Sequence, residues 1–362
     1  MRFIVGSGQA VVTVLTALTV LGVAACSGDS GSEPGTPNAW DEARVSANVA
    51  TIERVAAAPA LESYRVLGRY IGAASSSAPA VQGAPALQAV ARRLAELTGA
   101  GGGPQLVPVV RPGVLGRTYV FDAAAGTYVH DPARAGAPAN GVRFILYETN
   151  AETGAINPAV EIGHADLIDE RASSPTTAGL RFRVVAGGVT HLEYAFEVGG
   201  LLVAPTLSVQ GFMSDGTERV NFELEVSGPA WGHGGTARLD ARLELPSQNF
   251  SVVTSMEGTG EPGGPAEVEL TVRGGSDVIV VKSRVESGQV DATVTVNGRV
   301  LATATGDASH PVLKGEGGRE LTADEVAALG QIVAFADGVF KLFGELLAPA
   351  GALLGLALGL GL

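Results

Sequence analysis

Two sets of histidine and acidic residues have the types and spacing that can bind a metal or transfer a proton. Their members are His164, Asp166 and Glu170 in the first set and His191, Glu193 and Glu197 in the second. Imidazole and carboxylate groups serve as metal ligands and as general acids or bases. The even spacings place each set on one face of an extended strand. The same spacings are typical of a solvated strand face, which is the interpretation we favour.

Three further segments resemble chemical motifs only in part. Gly28-Asp29-Ser30-Gly31 matches the surroundings of a serine-protease nucleophile, but its neighbours offer nothing to build an oxyanion hole. Gly258-Thr259-Gly260-Glu261-Pro262-Gly263 has the GxGxxG form, but Pro262 excludes the helix that a dinucleotide site requires, so a turn is predicted. Trp231-Gly232-His233 lies in a predicted loop, either packed or exposed as a contact site. No two of the five histidines have metal-site spacing, so we predict no enzyme activity, metal or cofactor.

Composition narrows the class of protein. The chain has 362 residues, a net charge of -13 and one cysteine, and 46% of its residues are hydrophobic. A single cysteine excludes an internal disulfide framework and a cysteine-based metal centre. The acidity argues against a nucleic-acid partner, because phosphates require a basic surface. The apolar content is too high for a solvated disordered chain.

The single cysteine, Cys26, lies at the end of an apolar N-terminal segment. Arg2 precedes the apolar or small residues 3–25, and no acidic residue occurs before Asp29. This order of charge and then hydrophobic residues is typical of an export signal. The segment ends in Val23-Ala24-Ala25-Cys26, which resembles the lipobox of bacterial lipoprotein precursors. The resemblance implies that residues 1–25 are a cleaved signal peptide and that Cys26 receives a diacylglyceryl thioether.

The resemblance implies a location in the bacterial cell envelope, with the membrane as a partner through the Cys26 lipid anchor. Residues 26–38 are rich in Ser, Gly and Pro and are predicted to be a flexible tether. Ser27, rather than an aspartate, follows the cysteine, which favours the outer membrane, facing the periplasm or the cell surface. The alternative is an uncleaved transmembrane helix, since about 20 apolar residues suffice to span a bilayer.

Residues 39–104 are predicted to form short helices. Asn38 is a candidate N-cap for a helix in which apolar residues follow an acidic first turn at Asp41 and Glu42. Pro59 interrupts this pattern, and a second helix is predicted near residues 61–71. A third is predicted at 87–97.

Residues 105–320 change to the two-residue period of β-strands. Val220, Phe222 and Leu224 alternate with charged or polar residues, so one sheet face is predicted to be buried and the other wet. The predicted two-residue turns are Gly187-Gly188, Gly199-Gly200, Asp215-Gly216, Gly274-Gly275 and Asn297-Gly298. Longer or bulged turns are predicted at 247–249, 258–264 and Ser287-Gly288. Tight turns of this kind predict an antiparallel meander of about a dozen strands.

Residues 321–362 are predicted to form a closing amphipathic helix and an apolar tail. Thr322 and Glu325 have the spacing of a capping box. Apolar residues then recur at three- and four-residue intervals: Val326, Leu329, Val333, Ala336, Phe340, Phe343 and Leu347. Pro349 is expected to end the helix, leaving 350–362 as an uncharged tail.

These segments together predict a mainly β (α+β) fold. A long antiparallel up-and-down meander forms a curved sheet or half-open barrel, and the N- and C-terminal helices cover it, with 39–362 as one domain. The expected function is that of a lipid-anchored envelope protein that holds or shields a hydrophobic ligand in the sheet. The alternative is a structural or adhesive envelope module that binds a protein partner. An interior filled by helices favours the module, and an open interior favours ligand binding.

Overall fold

The computed structural model describes residues 41–72, 110, 112–150, 152–170, 178–199, 206–228, 235–259 and 264–357. Several predictions concern segments outside these residues. They are the signal peptide at 1–25, Cys26 with its tether, the Asn38 cap, the helix at 87–97, Gly200 of the Gly199-Gly200 turn, the Trp231 loop, most of the 258–264 turn and the last residues of the tail.

The described residues form fifteen strands, three α-helices and three single-turn 3-10 helices. The α-helices are α1 Glu42–Ala56, α2 Pro59–Gly72 and α3 Ala323–Ala357. The strands are β1 Arg117–Asp122, β2 Thr127–His130, β3 Gly141–Thr149, β4 Ile156–Glu170, β5 Ala178–Ala186, β6 Val189–Gly199, β7 Thr206–Ser214, β8 Arg219–Ser227, β9 Thr236–Leu245, β10 Phe250–Thr259, β11 Ala266–Gly274, β12 Asp277–Glu286, β13 Gln289–Val296, β14 Arg299–Asp307 and β15 Val312–Gly315.

All fifteen strands belong to one open sheet. Strands β3 to β15 follow one another in chain order, and β1 lies between β3 and β2. The pairing of β1 with β3 is parallel, whereas the other registered pairs are antiparallel. The predicted mainly β meander with terminal helices is therefore confirmed, and it has more strands than the dozen expected.

Glycine-containing pairs close several of the hairpins. Gly187-Gly188 and Asn297-Gly298 connect strands directly, and all four residues have positive φ, as type I′ turns require. Ser287-Gly288 was expected to be a longer turn but is also a two-residue loop, because Ser287 adopts a φ of 52°. Asp215-Gly216 instead begins a four-residue loop, in which the Asp215 carboxylate accepts the N–H groups of Thr217 and Glu218.

The predicted alternation of faces is confirmed in the strands. In β8, Val220, Phe222 and Leu224 are buried, and in β9 the same is true of Ala241, Leu243 and Leu245. We call the face that carries these residues the inner face. The opposite, outer face carries ion pairs between neighbouring residues, among them Arg238–Asp240, Arg242–Glu244, Lys282–Glu269 and Arg284–Glu267.

The described residues divide into two compact units. The first unit comprises those within 1–50 and 226–341, and the second those within 51–225 and 342–362. In the second unit, α2 packs on the inner face of β2 to β6, and its Leu61, Tyr64 and Leu67 are buried. The Tyr64 and Tyr194 hydroxyl oxygens lie 2.9 Å apart in this core, and Phe182 stacks on Tyr194. The inner face of this unit is thus filled by helix side chains.

In the first unit, parts of α1 and α3 cover the ends of strands β10 to β12. Asp41 caps α1 by accepting the backbone N–H of Arg44 at 2.9 Å. The Arg44 side chain donates to the carbonyl of Gly274 at 3.3 Å. From α3, the ring of Phe335 contacts Phe250 edge-on, and Leu329 and Ile332 are buried.

The capping box that begins α3 is confirmed. Thr322 and Glu325 exchange backbone-to-side-chain hydrogen bonds, at 2.9 Å from the Thr322 N–H and 3.3 Å from the Glu325 N–H. The expectation that Pro349 ends this helix is wrong, since α3 continues to Ala357. Pro349 is buried against α2, where its Cα lies 3.0 Å from the position of a Cβ at Gly68. Tertiary packing therefore maintains the helix despite the N–H that proline lacks.

Candidate functional site

The first candidate region is a polar cluster on the outer face of the second unit. The Asp166 carboxylate accepts two hydrogen bonds from Arg143, at 2.7 and 2.9 Å, and lies 3.5 Å from Nη2 of Arg183. These three residues are direct cross-strand neighbours on β3, β4 and β5. The arginines cover the carboxylate, so the Asp166 side chain is 0% exposed although it lies on the wet face.

His164 lies beside this cluster without a close bond to it. Its Nε2 is 3.7 Å from the Asp166 carboxylate, which is longer than a hydrogen bond. Burial lowers the pKa of the His164 imidazole, and the positive charges of Arg143 and Arg183 lower it further, against the opposing effect of Asp166. The imidazole is therefore neutral near pH 7 and is not held in the orientation that a general base needs.

Glu170 of the first predicted set and Glu193 of the second are both bound by Arg181, which was not among the predicted site residues. Arg181 donates two hydrogen bonds to Glu170, at 2.7 and 3.0 Å, and one to Glu193 at 2.9 Å. It thereby connects the first set to the second. The sequence signal that could have identified it is the pair of outward arginines, Arg181 and Arg183, between two strands that carry acidic residues.

His191 has a separate environment. Its Nδ1 lies 2.9 Å from the carbonyl oxygen of Ser214, and Glu197 is exposed at the far end of β6. Arg181 thus binds one carboxylate from each predicted set, and the side chains of neither set converge on a single point. Within the described ranges, no group of three or more His, Cys, Asp or Glu residues is arranged to hold a metal ion.

The second candidate region is on the inner face of the first unit. Towards one end of β9 to β12 most of the inward apolar side chains are only half-buried, whereas towards the other end Leu243, Val252 and Val272 are buried. We call the half-buried part the apolar strip, and it comprises Leu239, Met256, Val268 and Val285, with Ala237 and Ala266 beside them. Leu239, Met256 and Val268 are cross-strand neighbours, so the strip is continuous.

Two buried hydroxyl groups border the apolar strip. Thr254 precedes Met256 by two residues on β10, and Ser283 is the cross-strand neighbour of Val268. Their side chains belong to residues that are only 2% and 6% exposed, and neither oxygen has a hydrogen-bond partner. Leaving a buried hydroxyl unpaired costs about 1–3 kcal/mol. Because of this cost, each buried unpaired hydroxyl in a native structure requires an explanation.

The inner face around the strip is also uncharged. Its described inward residues on β9 to β13 are aliphatic, Phe250, Met256, glycine, Thr254 and Ser283, except for Asp277, which lies at the opposite end of β12 from the strip and accepts the backbone N–H of Asp41. This surface can bury apolar groups and form two neutral hydrogen bonds. In the outer cluster, by contrast, the carboxylates accept hydrogen bonds from arginines of the same cluster.

Of the described helices, none combines the length and the apolar character needed to cross a membrane.

Replacing Asp166 should destabilise the fold. Asp166→Asn removes the negative charge that Arg143 and Arg183 share, so we expect a loss of about 3 kcal/mol in the free energy of unfolding, measured by urea titration. Glu269→Gln, which removes an exposed partner of Lys282, should cost about 0.5 kcal/mol or less. Equal effects of the two variants would show that the burial of Asp166 does not matter.

The lowered pKa of His164 predicts an acid-dependent loss of stability. Because the folded state favours the neutral imidazole, the unfolded chain takes up the proton first as pH falls through the ordinary value of 6.5. Protonation of His164 therefore does not change the free energy of unfolding at pH 8, and it lowers that free energy at pH 5. NMR titration should place the His164 midpoint below 6.5. His164→Gln should reduce the fall in unfolding free energy between these pH values, and an unchanged fall would contradict the prediction.

Comparison with protein-family models, with curated proteins and with solved structures found no match to this chain.

Proposed function

We propose that this chain is a lipid-anchored cell-envelope protein that holds a hydrophobic ligand on the apolar strip. The observation that carries the proposal is the half-buried state of Leu239, Met256 and Val268 on a sheet face whose other end is buried. Covering about 200 Å² of such apolar surface contributes about 5 kcal/mol before the costs of association. An acyl chain can supply that cover.

The lipid anchor supports the same proposal. Val23-Ala24-Ala25-Cys26 resembles a lipobox, and the residues that follow it are suited to a flexible tether. Acylation at Cys26 places the body beside a bilayer, where hydrophobic ligands are concentrated. Ser27 after the cysteine favours the outer membrane, facing the periplasm or the cell surface.

A second candidate function is binding of an envelope protein through the outer face. It is favoured by Arg183, whose side chain is 38% exposed and whose closest carboxylate contact is 3.5 Å long. Its cross-strand neighbour Glu193 is bound by Arg181 instead. An acidic group of a partner protein can therefore pair with Arg183. Crosslinking in intact cells tests this alternative, because it should trap one defined protein that an Arg183→Ala variant no longer captures.

The anchor is tested at its single attachment residue. Cells fed radiolabelled palmitate should label the wild-type protein, and Cys26→Ala should abolish the label and leave the unprocessed precursor. Cys26→Ala changes no residue of the described fold, so its effect reports on acylation alone. Recovery of wild-type protein without lipid would contradict the proposed anchor.

The ligand site is tested with a charge placed on the strip. The acylated protein is reconstituted in phosphatidylcholine nanodiscs with a photoactivatable acyl probe, and crosslinked residues are identified by mass spectrometry. We expect labelling at Met256 and Val268, and its loss in Val268→Glu, because an unpaired carboxylate is costly beside an acyl chain.

The matched control for this variant is Val253→Glu. Val253 lies on the same sheet but is 37% exposed on the outer face, so its replacement should leave labelling unchanged. Thermal unfolding of both variants verifies that they are folded. Absence of labelling at the strip in the wild-type protein would refute ligand binding.

A further inference from the structure

We infer that the ligand of the apolar strip is a neutral acyl ester, whose carbonyl groups accept hydrogen bonds from Thr254 and Ser283. This inference rests on the proposed ligand site and specifies the chemical class of its occupant. It follows from three features of the first unit: the strip, the two unpaired hydroxyls beside it, and the absence of cationic side chains among the described inward residues of β9 to β13.

The unpaired hydroxyls argue against a pure hydrocarbon ligand. Two outer-face threonines find acceptors: Thr295 donates to the carbonyl of Val280 and Thr303 to that of Lys314, each at 3.4 Å. Thr118 and Thr259 have no partner either, but neither is beside the strip on the inner face. Thr254 and Ser283 have no such partner and are buried on the inner face. A hydrocarbon would leave both groups unpaired, whereas an ester carbonyl accepts a hydrogen bond from a hydroxyl.

The charge distribution argues against an ionised ligand. Lys282 and Arg284 flank Ser283 in sequence, but they lie on the outer face, where they pair with Glu269 and Glu267. No cationic side chain occurs among the described inward residues of β9 to β13. A fatty-acid carboxylate would therefore lose its hydration without gaining a counter-charge. A neutral ester avoids this cost and still pairs with the hydroxyls.

The position of the two residues matches an amphiphile lying along the strip. Ser283 is in the same cross-strand row as Val268, Met256 and Leu239, and Thr254 is in the adjacent row. Acyl methylene groups can cover the aliphatic side chains while the ester meets the border of the strip. The arrangement combines a large apolar contact with a small number of placed polar groups, as is usual in lipid and small-molecule sites.

The inference is tested with three photoactivatable probes of equal chain length in the nanodisc assay: methyl palmitate, hexadecane and palmitate. In the wild-type protein we expect methyl palmitate to label the strip about tenfold more than either of the others. The double variant Thr254→Val, Ser283→Ala preserves shape while removing both hydroxyls. It should label equally with the ester and the hydrocarbon.

A control variant and a stability measurement separate the possible outcomes. Thr271→Val, on the outer face of β11, should keep the preference for the ester, and thermal unfolding should show the double variant to be at least as stable as the wild type. Equal labelling of the wild type by ester and hydrocarbon, or a preference that survives the double variant, would overturn the ester assignment while the ligand site stands. Labelling of the strip by none of the probes would refute the ligand site itself.

Discussion

The two-residue period of the β-strand is the constraint on which the other structural features depend. It places Val220, Phe222 and Leu224 on one face of β8 and the intervening polar residues on the other. A sheet with one apolar face must bury that face against another layer. Helix α2 does so in the second unit, and in the first unit parts of α1 and α3 contact the ends of β10 to β12. The apolar strip is the part of the first unit's inner face where this cover is incomplete.

The two sheet faces differ in whether their polar side chains have hydrogen-bond partners. On the outer face, Arg143, Arg181 and Arg183 pair with carboxylates from adjacent strands, and Asp166 is buried beneath them. On the inner face, the Tyr64 and Tyr194 hydroxyls pair with each other in the second unit, whereas Thr254 and Ser283 in the first unit remain unpaired. Polar groups that a fold leaves unpaired at a cost in stability are candidates for a functional role. The unpaired hydroxyls of Thr254 and Ser283 lie beside the apolar strip.

Sequence motifs predicted turns and helix ends well where the interactions that form them involve only a few consecutive residues. Asn297-Gly298 closes a hairpin because both residues adopt positive φ, and Thr322 with Glu325 begins α3 because a capping box needs only four consecutive residues. Predictions failed where packing overrides a local preference. Pro349 lies within α3 because contact with α2 at Gly68 holds the helix beyond it. Ser287 adopts the backbone conformation of a tight turn because the flanking strands β12 and β13 pair directly up to it.

The sequence by itself determined which residues of each strand share a face and where many of the turns occur. These properties follow from spacing along the chain. Only the tertiary structure decided that Arg181 joins Glu170 to Glu193, that Asp166 is buried on the wet face, and that Thr254 and Ser283 lack partners. Those outcomes depend on cross-strand register and on where the helices stop covering the sheet. Neither is encoded in the period of one strand, because register is a relation between strands and cover is a relation between layers.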